Sequence, residues 1–401
     1  MLGRLNAGQK MKLLFLHNQY LIGGGEDVST RLEIELLQSN GHQVDSIVVS
    51  NIELSEKNNF RIATDSIWSG HFYAAVAKKI AENKYDIIHV QNFFPQISPS
   101  VFYAARRNGT KIVMSVRNYR LVCPNAMLFV NNHICTECVG RTIPFPALKH
   151  NCYRNSLSAT TVTVAMLSIH NLLNTWTTKI DGYIAISTFV KDQLISGGIG
   201  HEKIFVRYNF ANQIPTISDK HQSHFLYVGR LSMEKGIDIL LAAFNSPELA
   251  NENLRIIGTG PLLNKVKEAM QVNPNISYMG TLPLDETYRE MALAKCLIFP
   301  SQWHEPFGRT IIEAFAMGTP VVGSDRGAIP ELVIDNYNGF IFKANSLPDL
   351  IAVLIKFLDS YNSIDFDQNA RKSFLEKFTT TSSYSAIMNI YNKVMNNKIC
   401  F

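Results

Sequence analysis

Short apolar runs alternate with amphipathic stretches along most of the chain. Residues 12–16 (Lys-Leu-Leu-Phe-Leu) read as a buried strand, and a turn with Gly23, Gly24 and Gly25 follows. Residues 27–38 then place apolar side chains at helical spacing: Val28, Leu32, Ile34, Leu36 and Leu37. Asn40-Gly41 stops that helix, and residues 44–49 read as a second strand. Strand, glycine turn, helix, strand is a parallel βαβ unit. The theme continues with strand-like runs at 86–90, 111–116, 183–186 and 203–206, and a helical stretch at 100–107.

Residues 211–223 are polar and lack an apolar period, which reads as a linker. Beyond it the pattern restarts. Strands are expected at 225–228, 254–257, 297–300, 321–323 and 340–342, with helices at 236–244 and 261–270. Two doubly wound α/β domains, 11–210 and 224–381, are the simplest account. The last stretch, 382–401, opens as an amphipathic helix through Tyr384, Ile387, Ile390, Tyr391 and Val394, with no strand after it.

A chain of 401 residues fits two or three domains. With 46% hydrophobic and 18% charged residues it is not a disordered chain. A formal charge of +5 permits anionic substrates or a membrane surface but is too weak and dispersed to argue for nucleic acid. No segment reaches ~18 uninterrupted apolar residues, and the basic residues 1–10 lack the apolar core of a secretory signal. We therefore expect a cytoplasmic protein with reduced cysteines. Arg106, Arg107 and Lys111 could give peripheral contact with the cytoplasmic membrane face, or form a solvated face.

The most informative segment is 301–316, Ser-Gln-Trp-His-Glu-Pro-Phe-Gly-Arg-Thr-Ile-Ile-Glu-Ala-Phe-Ala. Glu305 stands just before a helix and Glu313 inside it, ~12 Å apart along the axis. Too distant to share a proton, they can grip two ends of one elongated ligand. Between them the helix N-terminus offers N–H groups at Phe307, Gly308 and Arg309, a phosphate-binding arrangement. The plainer reading is a capping acid and a paired or solvated one. A second segment, Gly229 to Gly236, follows a strand and carries Arg230 and Lys235, which can converge on one anion. The alternative is a surface turn with Glu234 as their partner. The Gly23–Gly25 turn permits close backbone approach to a ligand but is not G-x-G-x-x-G; a flexible turn is the alternative.

In order and spacing, these segments resemble the retaining glycosyltransferases of family GT4, which have the GT-B fold: two Rossmann-like domains facing a cleft. The match runs through residues 11–49, Gly-Arg-x4-Lys-Gly, the Gly258–Pro261 turn and Glu-x7-Glu. The resemblance implies metal-independent transfer from a UDP- or GDP-sugar to a glycan or lipid-linked acceptor, in surface polysaccharide assembly. Glu305, Arg230 and Lys235 would be catalytic: Glu305 on the sugar hydroxyls, the two cations on the diphosphate. Glu313 would bind the ribose, Gly24 and Gly25 would approach the diphosphate, and Gly258 and Gly260 would border the base. Phe307, Gly308, Arg309, Thr310 and His304 would complete the donor site, and the terminal helix would cross back to the first domain. Family members often carry a His-Asp or His-Asn pair where this chain has Arg117-Asn118. Arginine is no base at neutral pH, so Arg117 would bind a donor phosphate or an anionic acceptor, or be a surface base.

Cys123, Cys135, Cys138 and Cys152 fall in an irregular insertion, 123–152. Their spacing is compatible with a structural zinc; free thiols, a disulfide pair or an iron–sulfur cluster are the alternatives. Cys296 reads as core, Cys400 as unrelated, and His89 as a satisfied core histidine. Two other functions stay open: a sugar-nucleotide epimerase on the same architecture, and a zinc-bearing, non-catalytic binding protein.

Overall fold

The computed structural model describes residues 10–21, 24–52, 58–212 and 223–396. Gly23, most of the expected linker and Cys400 lie outside them. The first half contains β1 (Lys12–Gln19), β2 (Gln43–Ser50), β3 (Ile87–Asn92), β4 (Lys111–Val116), a small hairpin β5 (Phe129–Val130) and β6 (His133–Ile134), then β7 (Gly182–Ala185) and β8 (Ile204–Val206). Apart from the hairpin, these strands form one parallel sheet in the order β2-β1-β3-β4-β7-β8. The second half contains β9 (His224–Val228), β10 (Leu254–Ile257), β11 (Ile276–Gly280), β12 (Ala294–Phe299), β13 (Val321–Ser324) and β14 (Gly339–Phe342). They form a second parallel sheet in the order β11-β10-β9-β12-β13-β14.

Helices on both faces explain the continuous apolar runs that announced the strands: β3, β7 and β13 are buried along their whole length. Edge strand β2 instead mixes Gln43, Asp45 and Ser46 with its valines. The second chain half starts in the middle of its sheet at β9, winds outward through β10 and β11, and returns to β12 on the other side. That reversal opens a crevice at the carboxyl ends of β9 and β12, where open α/β sheets bind ligands. In the first sheet the reversal lies between β1 and β3.

The final helix, Thr380–Asn396, follows the second domain yet packs Ile387, Ile390, Tyr391 and Val394 against Leu13, Phe15 and Ile87 of the first sheet. Polar contacts tie the halves beside the cleft. Tyr119 Oη donates to the carbonyl of His304 (3.0 Å) and Ser187 Oγ to that of Pro306 (2.7 Å). Glu331 accepts the N–H groups of Thr188 and Phe189 at 2.8 and 2.7 Å, capping the helix Thr188–Ser196 from the other domain.

Helices Asn59–Ile67, Gly70–Asn83 and Leu157–Leu172 were not expected from the pattern. In the last, polar residues break the apolar run, but two of them bond back into the helix: Thr163 Oγ1 to Thr160 O at 2.8 Å, Ser168 Oγ to Val164 O at 2.7 Å. No helix among the described residues is long and apolar enough to cross a membrane. Of the three bases singled out for a membrane surface, Arg106 and Lys111 pair with Asp181 at 3.2 and 3.9 Å.

Candidate active site

The turn after β9 and the turn after β12 pack directly on each other. Gln302 N donates to Glu234 O at 2.8 Å. Gly236 has φ +77°, and a Cβ there would stand 1.9 Å from the carbonyl oxygen of Pro300, so only glycine permits the approach. The approach sets Lys235 against Glu305, Nζ to Oε1 at 2.5 Å. Ser301 Oγ (2.6 Å) and Trp303 Nε1 (2.8 Å) donate to the same oxygen. Three donors thus fix a buried carboxylate through Oε1 alone. Among the described residues no donor falls on Oε2, which is free to accept from ligand hydroxyls. Glu234, the alternative partner for the cations, is engaged by Ser232 Oγ at 2.6 Å. Arg230 is exposed at the rim.

Gly308, at φ +112°, turns the chain into the helix Arg309–Met317, whose first N–H groups have no intrahelical acceptor. Phe307, Gly308, Arg309 and Thr310 line the same cleft, of about 290 Å³, as Arg230, Lys235 and Glu305. Arg309 spans it: Nη1 reaches Ser29 Oγ (3.3 Å) and Phe210 O (3.4 Å) of the first domain. Its Nε pairs with Glu313 Oε1 at 2.8 Å. Burial raises the pKa of Glu313, against the opposing pull of Arg309.

The first domain contributes Gly25, Glu26, Ser29, Arg117 and Asn209 to the lining. Arg117 is not a surface base. Its guanidinium is buried, donating through Nη2 to Glu33 Oε2 (2.9 Å), through Nε to Gln91 Oε1 (2.9 Å), and to Asn209. Arg207 Nη1 bonds the same Glu33 oxygen at 2.9 Å. His89 bridges Tyr391 Oη and Ser115 Oγ, a satisfied core histidine as expected. Asn118 does not line the cleft; its amide donates to Tyr20 Oη (3.1 Å) and Glu26 Oε2 (3.2 Å). Glu26 was not singled out from the sequence, and neither were Ser29, Asn209 and Arg207.

Five other expected residues stand outside the cleft lining. Glu313 is held behind it by Arg309. Gly24 caps the helix Gly25–Ser39, its N–H donating to Asp27 Oδ2 at 3.1 Å. Gly258 and Gly260 serve close packing: a Cβ would meet Gly229 O at 1.9 Å and Leu231 O at 2.4 Å. His304 turns its ring onto Phe189, with centroids 4.7 Å apart, and burial, with Arg326 nearby, lowers its pKa to about 4.

The zinc expectation is not supported. Among the described residues no three His, Cys, Asp or Glu side chains group so as to hold a metal. Cys123 joins the first domain's core, whereas Cys138 and Cys152 pack with Ala147 and Val164. Burial raises the pKa of all three thiols, and neighbouring cysteines add to the rise at Cys138 and Cys152, the latter to about 11. At the insertion's edge Arg120 stacks between Phe94 and Tyr153, at 4.6 and 4.9 Å from the ring centroids, and donates to the carbonyl of Pro124. A second cavity, about 660 Å³, opens on the first domain beside that stack, lined by Leu21, Phe60, Phe94, Pro95, Tyr153 and Val162.

Comparison with known proteins bears on this geometry. The family described as Glycosyltransferase Family 4 matches residues 22–213, and Glycosyl transferases group 1 matches residues 211–373. Glycosyltransferase MJ1607 of Methanocaldococcus jannaschii is 26% identical over 93% of this chain and 95% of its own. A 42.6 kDa protein of the cps region of Klebsiella pneumoniae is 25% identical over 79% of this chain and 85% of its own. The crystal structure of Anabaena Alr3699/HepE in complex with UDP superposes with a TM-score of 0.67 at 18% identity, covering 96% of this chain and all of that one.

Proposed function

Because the chain belongs to the group 1, family 4 glycosyltransferases and has their two-domain GT-B architecture, we propose that it moves a glycosyl group from a UDP- or GDP-sugar held in the cleft to a hydroxyl of a glycan or lipid-linked acceptor. The transfer is metal-independent and retains the anomeric configuration, as the family resemblance implies. The observation that carries this reading is the Lys235–Glu305 pair at the second sheet's reversal point, beside the open N-terminus of Arg309–Met317.

Charge builds on the diphosphate as the bond from C1 breaks. Lys235, Arg230 and the N–H groups around Gly308 are the donors placed to meet it. Glu305, oriented through Oε1, offers Oε2 to the hydroxyls of the transferred sugar. Glu313 would take the ribose after releasing Arg309. The acceptor would enter over the first domain, where the larger cavity is lined largely by apolar side chains suited to a lipid-linked partner. A part in surface polysaccharide assembly is in keeping with the cps-region relative.

A thermal-shift screen with UDP-, GDP- and ADP-sugars tests the donor. One nucleotide sugar should raise the unfolding temperature by mass action. Transfer should survive EDTA. No shift with any donor would overturn the reading, and epimerised donor with no acceptor present would replace it with the epimerase.

A further inference from the structure

The surplus positive charge, dispersed as it looks over the whole chain, gathers in one stretch. Between Asp86 and Asp181 the sequence carries nine Lys and Arg and a single acid, Glu137, which pairs with His150 at 3.6 Å. Of these bases Arg141, Lys149 and Arg154 are exposed around the helix Leu157–Leu172. Arg154 precedes it, Lys149 ends the short helix Pro146–Lys149 that packs on it, and the carbonyl of Arg141 accepts from Asn171 Nδ2 at 3.3 Å.

The helix they surround has no Lys, Arg, Asp or Glu in its 16 residues, and its His170 is buried, bonded to the carbonyl of Ile67 at 3.0 Å. Yet one side of it is open. Leu157, Thr161, Ala165, Ser168 and Leu172 fall on a single stripe, and Leu157, Leu172 and the following Leu173 are each more than half exposed. The hydroxyls on that stripe are satisfied within the helix: Thr161 Oγ1 donates to Leu157 O (2.8 Å) and Ser168 Oγ to Val164 O (2.7 Å). The neighbouring helix Asn59–Ile67 repeats the device. Its Phe60 is 77% exposed, Thr64 Oγ1 donates to Arg61 O (3.0 Å), and its acid, Asp65, pairs with Arg61 at 3.7 Å. Single exposed apolar side chains are ordinary, but a continuous face free of charge, with its hydroxyls already bonded, is not. Such a face loses little on leaving water. The bases around it select the occupant: they complement anions, whereas a second copy of the same face would set like charges together.

We propose that the face formed by helices Leu157–Leu172 and Asn59–Ile67 rests on an anionic lipid bilayer. The apolar stripe meets the acyl boundary, and Arg141, Lys149 and Arg154 meet the headgroups. The cavity of about 660 Å³ lies between the N-terminal halves of the same two helices, so the membrane adjoins it. Arg106 and Lys111, expected for this role, are instead tied to Asp181.

Vesicle sedimentation of the full chain tests the contact with no donor or acceptor present, so its outcome is independent of the transferase reading. Wild type should sediment with vesicles of equimolar phosphatidylcholine and phosphatidylglycerol, be released by high salt, and stay in solution with phosphatidylcholine alone. Leu172→Gln with Leu173→Gln should weaken binding by about tenfold or more. Arg141→Gln with Lys149→Gln should weaken it by about 10–30-fold. Both variants should melt as wild type does. Absence of sedimentation with the anionic vesicles overturns the proposal, and so does equal binding to both vesicle types. Binding by both variants within twofold of wild type puts the contact elsewhere and overturns it too. A dimer that dissociates in Leu172→Gln with Leu173→Gln, without vesicle binding by wild type, would give the face to a second copy instead.

Discussion

The two walls of the cleft hold their charges in different ways. On the second domain's side, Lys235 meets Glu305 while its side chain keeps a quarter of its exposure, and Arg230 is open at the rim. On the first domain's side, Glu33, Arg117 and Arg207 retain 1%, 4% and 4% exposure, and one carboxylate faces two guanidiniums. Partly exposed charges can exchange partners for a ligand. Sealed charges cannot, because each would be stranded without a counterion. One wall is therefore a site that changes partners and the other a frame that keeps them. Arg117, the frame's member in the cleft, presents the cluster's surplus positive charge to the ligand space.

Breaking the frame should have the largest effect. Glu33→Ala would leave two buried guanidiniums without their carboxylate, at a cost of about 3–5 kcal/mol. Urea unfolding measures it. A loss below ~1 kcal/mol would mean the first wall is as adaptable as the second. Lys235→Ala should act the other way round. Stability should fall by less than in Glu33→Ala, because Ser301 and Trp303 still donate to the buried Glu305 carboxylate, while transfer falls by about 10²–10³-fold, as when one donor to a developing oxyanion is removed. A Lys235→Ala enzyme with wild-type kcat would end the idea of a working wall.

Acid sharpens the contrast. Burial would raise the pKa of Glu33, but Arg207 and its other neighbours outweigh that and hold it at about 2. With a folded value below its ordinary 4.5, Glu33 gives its full stabilisation above pH 4.5 and loses it as pH falls toward 2. His89 is pushed down to about 4 by burial, so its neutral form favours the fold above pH 6.5, and that benefit fades between 6.5 and 4. His224 and His304 in the second domain follow the same window. Urea midpoints should therefore fall in two stages, and Glu33→Ala should remove the stage below pH 4.5 while keeping the upper one.

What the sequence disclosed follows the same division. The strands of the first sheet, five of the six of the second, the glycine turns and the Glu305 segment are local patterns, legible because parallel strands buried on both faces read as apolar runs; β11, only partly buried, was missed. Lys235 and Glu305 lay in motifs, so each could be named before their contact was known. The frame was not legible. Arg207 and Glu33 are 174 positions apart, and no local spacing joins them. Glu26 was hidden beside a glycine turn that drew attention to its backbone. The cysteine spacing suggested a metal, but spacing alone does not decide whether the side chains group closely enough to hold one. His304 sits next to Glu305 in sequence but faces the opposite domain.

Gly25 offers the gentlest probe of the boundary between the two walls. Among the described residues a methyl there would meet only Arg309 Cδ, at 3.7 Å, an ordinary contact, and the residue opens a helix. Gly25→Ala should leave stability unchanged or raise it by about 0.5 kcal/mol through a less flexible unfolded chain. The same methyl projects toward Arg309, which must swing aside if Glu313 is to be released for a ribose. Nucleotide affinity should therefore weaken by a few-fold while kcat at saturation holds. Calorimetric titration with UDP and GDP, set beside the melting temperature, reads both. A destabilised Gly25→Ala would show that this turn belongs to the frame, and unchanged affinity would show that Arg309 does not have to move.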